Sequence, residues 1–115
     1  MTYKRGDVVL ALFPDSNLRT AKPRPVLVVQ ADGLNTGLPQ TSVAMISSNL
    51  ARLGHPSRVA IQLATPEGAA TGLRLDSVIM TDNLATILNT AIHRPLGTWA
   101  DMTAVDAALR HTLAL

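Results

Sequence analysis

Arg24 stands alone between two prolines in the stretch Lys22-Pro-Arg-Pro-Val-Leu-Val-Val-Gln30. Pro25 pushes Arg24 away from helical geometry, and the ring of Pro23 fixes its own φ near the strand range. The apolar run Val26 to Val29 is too short for a helix and too β-branched to be comfortable in one, so it reads as a buried strand. Arg24 is therefore mounted at the mouth of a rigid strand, with little backbone freedom to lose when it grips an anion. A structural ion pair is the competing role for the same residue.

Other chemistries find little support. His55, His93 and His111 are isolated, and none has a second ligand at helical or hairpin spacing, so no metal site is expected. No Gly-x-Ser-x-Gly elbow is present, and Gly33 and Gly37 fit neither phosphate-cradling fingerprint. With no cysteine, a thiolate nucleophile, a zinc-thiolate site and a disulfide framework are all excluded. What remains is a scatter of polar residues at strand ends: Arg24, Ser47, Ser48, Asp76, Ser77, Asp82 and Thr86. Taken singly, each except Arg24 is better explained by a local turn or strand-end contact.

The charge is unevenly shared. Residues 1–58 hold seven Lys/Arg against three Asp, a net of +4, while residues 59–115 hold three Arg against five acids, a net of −2. That asymmetry suggests a face for a polyanion, although ordinary solvated charges would give the same totals. Tyr3, Phe13 and Trp99 are the only aromatics, so stacking platforms for bases are nearly absent. Any nucleic acid would be met through charge, hydrogen bonds and shape.

The elements that must position these residues follow from pattern. A length of 115 residues suits one domain over 1–115 with a proper core. Val8 to Phe13 is apolar at every position, hence a strand buried on both faces or with one face awaiting a partner subunit. Asp15 to Lys22 reads as a polar connection, and Pro25 to Gln30 as the second strand. Thr41 to Ser47, Arg58 to Leu63 and Leu75 to Thr81 read as three more, the last ended by Asp82-Asn83. Asn49 to Ser57 is a loop with a possible helical turn at Leu50 to Leu53, and Ala64 to Gly72 reads as irregular. Thr86 to Leu88 and Ile92 to Leu96 are further short strands, Pro95 confining the second to an edge. Met102, Val105, Leu109 and Leu113, with Ala108, then trace one amphipathic helix capped by Thr98 or Asp101. A small barrel or curled antiparallel sheet with one helix packed on it is the expected architecture. The lead from Met1 to Asp7 is polar and no apolar run approaches a membrane span, so a cytoplasmic protein without a signal peptide is expected.

The order of these pieces resembles a known family. Arg5-Gly-Asp-Val-Val-Leu-Ala-Leu-Phe-Pro14 followed by Lys22-Pro-Arg-Pro-Val-Leu-Val-Val-Gln30 is similar to the opening of the MazF/PemK-type toxins of bacterial toxin–antitoxin modules. Leu75-Asp-Ser-Val-Ile79, Thr86-Ile87 and the ending Leu96-Gly-Thr-Trp99 with Met102 to Arg110 resemble the later strands and closing helix of that family. The match runs in order over nearly the whole chain.

The resemblance implies a mainly β fold with one α-helix: an SH3-like small barrel of five to seven strands with a C-terminal amphipathic helix. It implies a homodimer and a metal-independent endoribonuclease that cuts single-stranded RNA by attack of a 2′-hydroxyl on the adjacent phosphate. Arg24 matches the family's strand-opening arginine, whose guanidinium can grip two phosphate oxygens. Ser47 stands where the family usually has threonine and keeps the hydroxyl, while Asp82 matches an acid that some members use near the scissile group. Arg19, Lys22 and Arg58 could hold flanking phosphates in a salt-dependent way. Met80 and Ala85 replace basic residues of the pattern. Asn17, Asn35, Gln40 and Asn49 are candidates for hydrogen bonds to splayed bases. The implied protein partner is a cognate antitoxin with an acidic, partly disordered segment, and no cofactor is implied. Two rivals share the fold: a CcdB-type gyrase-binding toxin, and a non-cleaving member acting as a binding module. Trp99 precedes the last helix and the chain end lacks a tryptophan, which favours the ribonuclease over the gyrase binder.

Overall fold

The computed structural model describes residues 3–115; Met1 and Thr2 of the polar lead lie outside them. Six strands form one antiparallel sheet: β1 (Asp7–Pro14), β2 (Ala21–Val28), β3 (Gln40–Ser47), β4 (Arg58–Ile61), β5 (Ser77–Leu88) and β6 (Ile92–Thr98). Their order across the sheet is β4-β5-β3-β2-β1-β6. A short helix α1 (Pro66–Ala69) joins β4 to β5, and the 12-residue helix α2 (Met102–Leu113) closes the chain. β6 is an edge strand, as Pro95 requires.

β1 is buried along one face and, at Val8, on the other. Val9, Ala11 and Phe13 join a cluster with Val26, Val28, Val43, Ile87 and Ile92. Val8, on the other face, joins Leu27, Ala44, Ile46, Ile79 and Trp99 beneath Val105 and Ala108 of α2. These positions are covered within one chain, whereas on the Val8 face Leu10 is half-buried and Leu12 is 37% exposed.

The two edges of the sheet meet. The Thr98 N–H at the end of β6 donates to the Ala70 carbonyl in the β4–β5 connection, at 3.0 Å. Two glycines permit this approach: a Cβ at Gly97 would collide with the Ala70 carbonyl oxygen, and one at Gly72 with that of Leu96. The sheet thus curls into a small barrel, with α2 packed on it.

Several boundaries differ from the pattern. β2 begins at Ala21, so Lys22, Pro23 and Arg24 lie inside the strand. Hairpin pairing to β1 carries it there (Arg24 opposite Ala11, Lys22 opposite Phe13), whereas β3 pairs only from Val26. The prolines, two positions apart, are tolerated because that side of β2 has no neighbour below Val26. β5 does not stop at Asp82-Asn83: the pairing steps from Met45–Met80 to Ala44–Leu84, leaving Thr81, Asp82 and Asn83 as a bulge within one continuous strand. Ala64 to Gly72 holds α1, where Thr65 caps the N-terminus by accepting from the Gly68 N–H and Pro66 takes the first turn. β4 ends two residues early, at Ile61. Leu50 to Leu53 makes one hydrogen-bonded turn rather than a helix. Asp101, not Thr98, caps α2, and Leu113 lies outside its buried stripe, which Val105 and Ala108 form.

Candidate active site

In an antiparallel pair, opposed residues project to the same face, so Lys22, Arg24 and Val26 line up with Phe13, Ala11 and Val9. Arg24 is thus the first residue beyond the apolar cluster, set over buried Ala11. Its guanidinium meets Asp15 across the β1–β2 turn, with Nη2 to Oδ1 at 3.3 Å. Asp15 is held by that turn: its N–H donates to the Thr20 carbonyl at 2.9 Å, and the Thr20 hydroxyl donates to its Oδ2 at 2.6 Å. The Thr20 hydroxyl foremost, with Arg24 and Lys22 beside it, holds the Asp15 carboxyl below the ordinary carboxylate range. The turn closes without glycine, Leu18 taking φ +59°.

Three arginines make ion pairs among the described residues, and they differ in commitment. Arg5 donates from Nε to the Val29 carbonyl at 2.9 Å and from Nη2 to Asp106 at 2.6 Å. Arg58, only 11% exposed, grips Asp82 with Nε–Oδ1 at 2.8 Å and Nη2–Oδ2 at 2.9 Å. Arg24 has one long contact, and its Nε is buried without a partner. Of five donors, most remain unspent. A buried polar group lacking a partner is costly, so the fork gains on meeting an acceptor. Of these three paired arginines, Arg24 is the one left most available.

Its surroundings form a connected groove of three hollows. One of about 460 Å³ holds Asp15, Asn17, Thr20, Lys22, Arg24 and Met45 among its lining residues. A second, of about 280 Å³, places Arg24 with Ser47, Ser48, Ser77 and Arg74. A third, of about 270 Å³, runs from Met45 and Ser47 to Asn49, Arg52, Arg58 and Met80. Arg24 joins the first hollow to the second, Met45 the first to the third, and Ser47 the second to the third. Ser47 ends β3, and its Oγ accepts from the Asn49 N–H at 3.1 Å. Arg24 and Ser47 therefore share one hollow.

Asp82 is placed differently. It lies in the β5 bulge and is bound to Arg58, whose hydrogen bonds first of all hold its carboxyl below the ordinary range. That ionised, doubly bonded carboxylate is a poor proton acceptor near neutral pH. Arg19 is exposed on the β1–β2 turn, its N–H bonded to Asn17 Oδ1 at 2.8 Å, while Lys22 lines the first hollow. Asn17 and Asn49 line the groove; Asn35 and Gln40 line a separate hollow by the β2–β3 connection.

Residues 4–113 match the family described as PemK-like, MazF-like toxin of type II toxin-antitoxin system. The chain belongs to this family. It is 34% identical over 118 residues to endoribonuclease EndoA of Bacillus subtilis, covering 100% of this chain and 97% of that protein. The fold is that of solved relatives. A Mycobacterium tuberculosis toxin, MazF-mt6, superposes with a TM-score of 0.74 at 23% identity, over 95% of this chain and 97% of that one. A mycobacterial endoribonuclease solved in complex with its cognate antitoxin also gives 0.74, at 21% identity, over 99% of this chain and 97% of that one.

Within this toxin fold, three groove residues escape a reading of the sequence. Asp15 is the partner of Arg24; the sign available was an acid and a hydroxyl residue closing one hairpin turn, Asp15 and Thr20. Arg52 and Arg74 line the groove beside Ser47 but lie in connections without periodic pattern, so nothing marked them. Trp99 is a core residue under α2, its Nε1–H donating to the Asp101 carbonyl at 3.0 Å. His55 and His111 are not isolated, their rings lying 5.9 Å apart.

Proposed function

We propose that the chain is the toxin of a toxin–antitoxin module and a metal-independent endoribonuclease acting on single-stranded RNA. The observation that carries this reading is an arginine with unspent donors sharing a hollow with a strand-end hydroxyl, in a chain related to named endoribonucleases. The 2′-oxygen would attack phosphorus as its proton passes to water, and the 5′-oxygen would depart and take a proton from water, giving a cyclic phosphate and a free 5′-hydroxyl. Negative charge gathers on the phosphoryl oxygens, where Arg24 supplies a two-pronged donor and Ser47 a hydroxyl. No histidine lines the three hollows, and Asp15, the one acid that does, is held ionised. Charge stabilisation therefore carries more of the catalysis than a tuned base. Lys22, Arg52 and Arg74 would hold flanking phosphates, with Arg19 at the rim. The Arg58–Asp82 pair braces the third hollow.

The same groove would accept an acidic, partly disordered antitoxin segment in competition with RNA. An isologous homodimer in the cytoplasm completes the reading. No helix among the described residues is long and apolar enough to cross a membrane.

The test is incubation of the purified protein with a long RNA in EDTA, followed by mapping of the 5′-ends. Cleavage at defined short sequences, lost in Arg24→Ala and kept in Arg94→Ala, is the expected result. Intact RNA together with stalled gyrase would overturn the reading in favour of the gyrase-binding rival.

A further inference from the structure

The contact that closes the barrel leaves one strand edge uncovered. Thr98 at the end of β6 bonds to Ala70, beyond β4, so β4 itself pairs only with β5 and stands at the margin of the sheet. Alternate residues from Val59 to Ile61 direct their N–H and C=O away from β5, and among the described residues no other backbone hydrogen bond reaches them. Neither a charge nor a proline blunts this stretch. Beside it lies a hollow of about 470 Å³, between β4 and the segment that leads from β6 into α2. It shares no lining residue with the three hollows of the groove.

Its walls and charges narrow the occupant. Val59, Ala60, Trp99 and Ala100 supply apolar surface, while Glu67 and Asp101 bring negative charge and no lysine or arginine lines the hollow. Asp15, Asp82 and Asp106 are paired with arginines; Glu67 and Asp101 have no cation partner among the described residues. One oxygen of Asp101 caps α2 by accepting from the Ala104 N–H at 3.2 Å, which leaves the other free. Uncompensated acids beside apolar surface and an open strand edge suit a cationic, extended chain.

We propose that this edge binds an extended basic peptide segment of a partner protein, added to the sheet as a strand beside β4. Main-chain bonds to β4 would hold it. Side chains two positions apart, on the face turned to the hollow, would set a Lys or Arg against Glu67 and Asp101 and an apolar residue against Ala60 and Ala100. A second copy of this chain fits less well, because edge pairing about a two-fold axis would bring the unpaired acids of both copies together. The groove has the opposite sign, and its five cations would repel such a segment, so the two surfaces would serve different partners.

The experiment uses the full chain and a fluorescein-labelled heptapeptide, Thr-Arg-Thr-Val-Thr-Arg-Thr, which puts two arginines and a valine on one face. Binding is read by anisotropy with no RNA present. Saturable binding of one peptide per chain is expected, with none for the counterpart carrying glutamate in place of arginine. Glu67→Gln combined with Asp101→Asn, which keeps an N-cap, should weaken binding about tenfold, the order of two screened charge pairs. Methylation of the five central peptide nitrogens removes the N–H groups of both strand edges while keeping the charges, and should abolish binding. Absent saturable binding, equal binding of the glutamate peptide, an unchanged affinity in the double variant, or binding that survives methylation each overturns the site. A particle mass that falls on peptide addition, read by light scattering, assigns the edge to a second copy and also overturns it.

Discussion

Arg24→Ala and Arg58→Ala should separate activity from stability, because the two arginines are tied into the fold so differently. Arg24 makes one ion-pair contact at 3.3 Å and leaves its Nε unpartnered. Its removal should change stability by no more than about 0.5 kcal/mol, the range for substitutions that break no committed interaction. Arg58 makes two short bonds to one carboxylate at 2.8 and 2.9 Å. Bonds to charged groups contribute about 1.5–3 kcal/mol when shielded. Asp82 is 39% exposed, so solvent screening brings the expected loss for Arg58→Ala down to about 1–2 kcal/mol. For a domain of this size that is a fall in Tm of about 5–10 °C. Activity should run the other way. Losing one preorganised donor to a developing oxyanion costs about 10²–10³ in rate, or roughly 2.7–4 kcal/mol of barrier. Arg24→Ala should therefore show near-parental melting with cleavage down about 100-fold or more, and Arg24→Lys only partial recovery for want of a fork. Calorimetric melting and a fluorogenic RNA assay on the same preparations decide it. If Arg24→Ala destabilises more than Arg58→Ala, or keeps cleavage within tenfold of the parent, then Arg24 is a structural ion-pair partner and the assignment fails.

Other perturbations test neighbouring parts of the groove. Ser47→Ala should lower kcat by about tenfold or more through loss of the hydroxyl, while Ser47→Thr, which keeps it, should stay within a few-fold of the parent. Arg52→Gln and Arg74→Gln should each weaken RNA binding and reduce its salt slope by about one, read from binding isotherms across a salt series. The Asp15 carboxyl is held below its ordinary value of 3.8, so its contribution to stability is present above 3.8 and lost as pH falls through the folded-state value. Thr20→Val removes the largest cause, and the Asp15 midpoint followed by NMR should rise towards 3.8; an unmoved midpoint would show that the hydroxyl contact is not formed in solution. Asp15→Asn should tighten RNA binding by up to about fivefold, the order of a single solvent-screened charge pair, without slowing cleavage at neutral pH. A tenfold loss of kcat there would instead mark Asp15 as a proton acceptor.

Legibility followed periodicity. The apolar runs of β1 and β3, the alternation of β4 and the 3.6-residue stripe of α2 located those elements, since burial on one or both faces leaves a direct mark on residue choice. The boundaries that shifted depend on partners that local pattern cannot report. Ala21 to Arg24 are strand because β1 lies beside them, and Asp82-Asn83 reads as a strand end although β3 carries β5 past the bulge. The site divides in the same way. Arg24 is marked by its prolines, whereas Ser47 stands out only through its match to the family's usual threonine. Asp15, Arg52 and Arg74 reach the groove from connections whose courses are set by packing elsewhere. The histidine pair lies beyond any spacing rule, because helix and loop meet there only after the barrel has closed.

The acid beside Arg24 is the least expected feature of a site proposed to bind phosphate, and it also explains how the cation stays in place. The three hollows are lined by five cations, Lys22, Arg24, Arg52, Arg58 and Arg74, and by one acid, Asp15. An arginine with no partner at all would lose side-chain entropy only when RNA arrives, and would wander until then. One set deep in two short bonds, as Arg58 is, would have to break them first. A single 3.3 Å contact falls between these cases: it orients the fork and leaves most donors free. The carboxylate is itself anchored by Thr20 on the hairpin turn, so the restraint comes from β1 and the turn rather than from the groove floor. In the proposed site, a phosphate reaching Arg24 would exchange one long bond for two short charge-assisted ones, and would repel the acid towards solvent. On that proposal, binding and release of the restraint would be the same event.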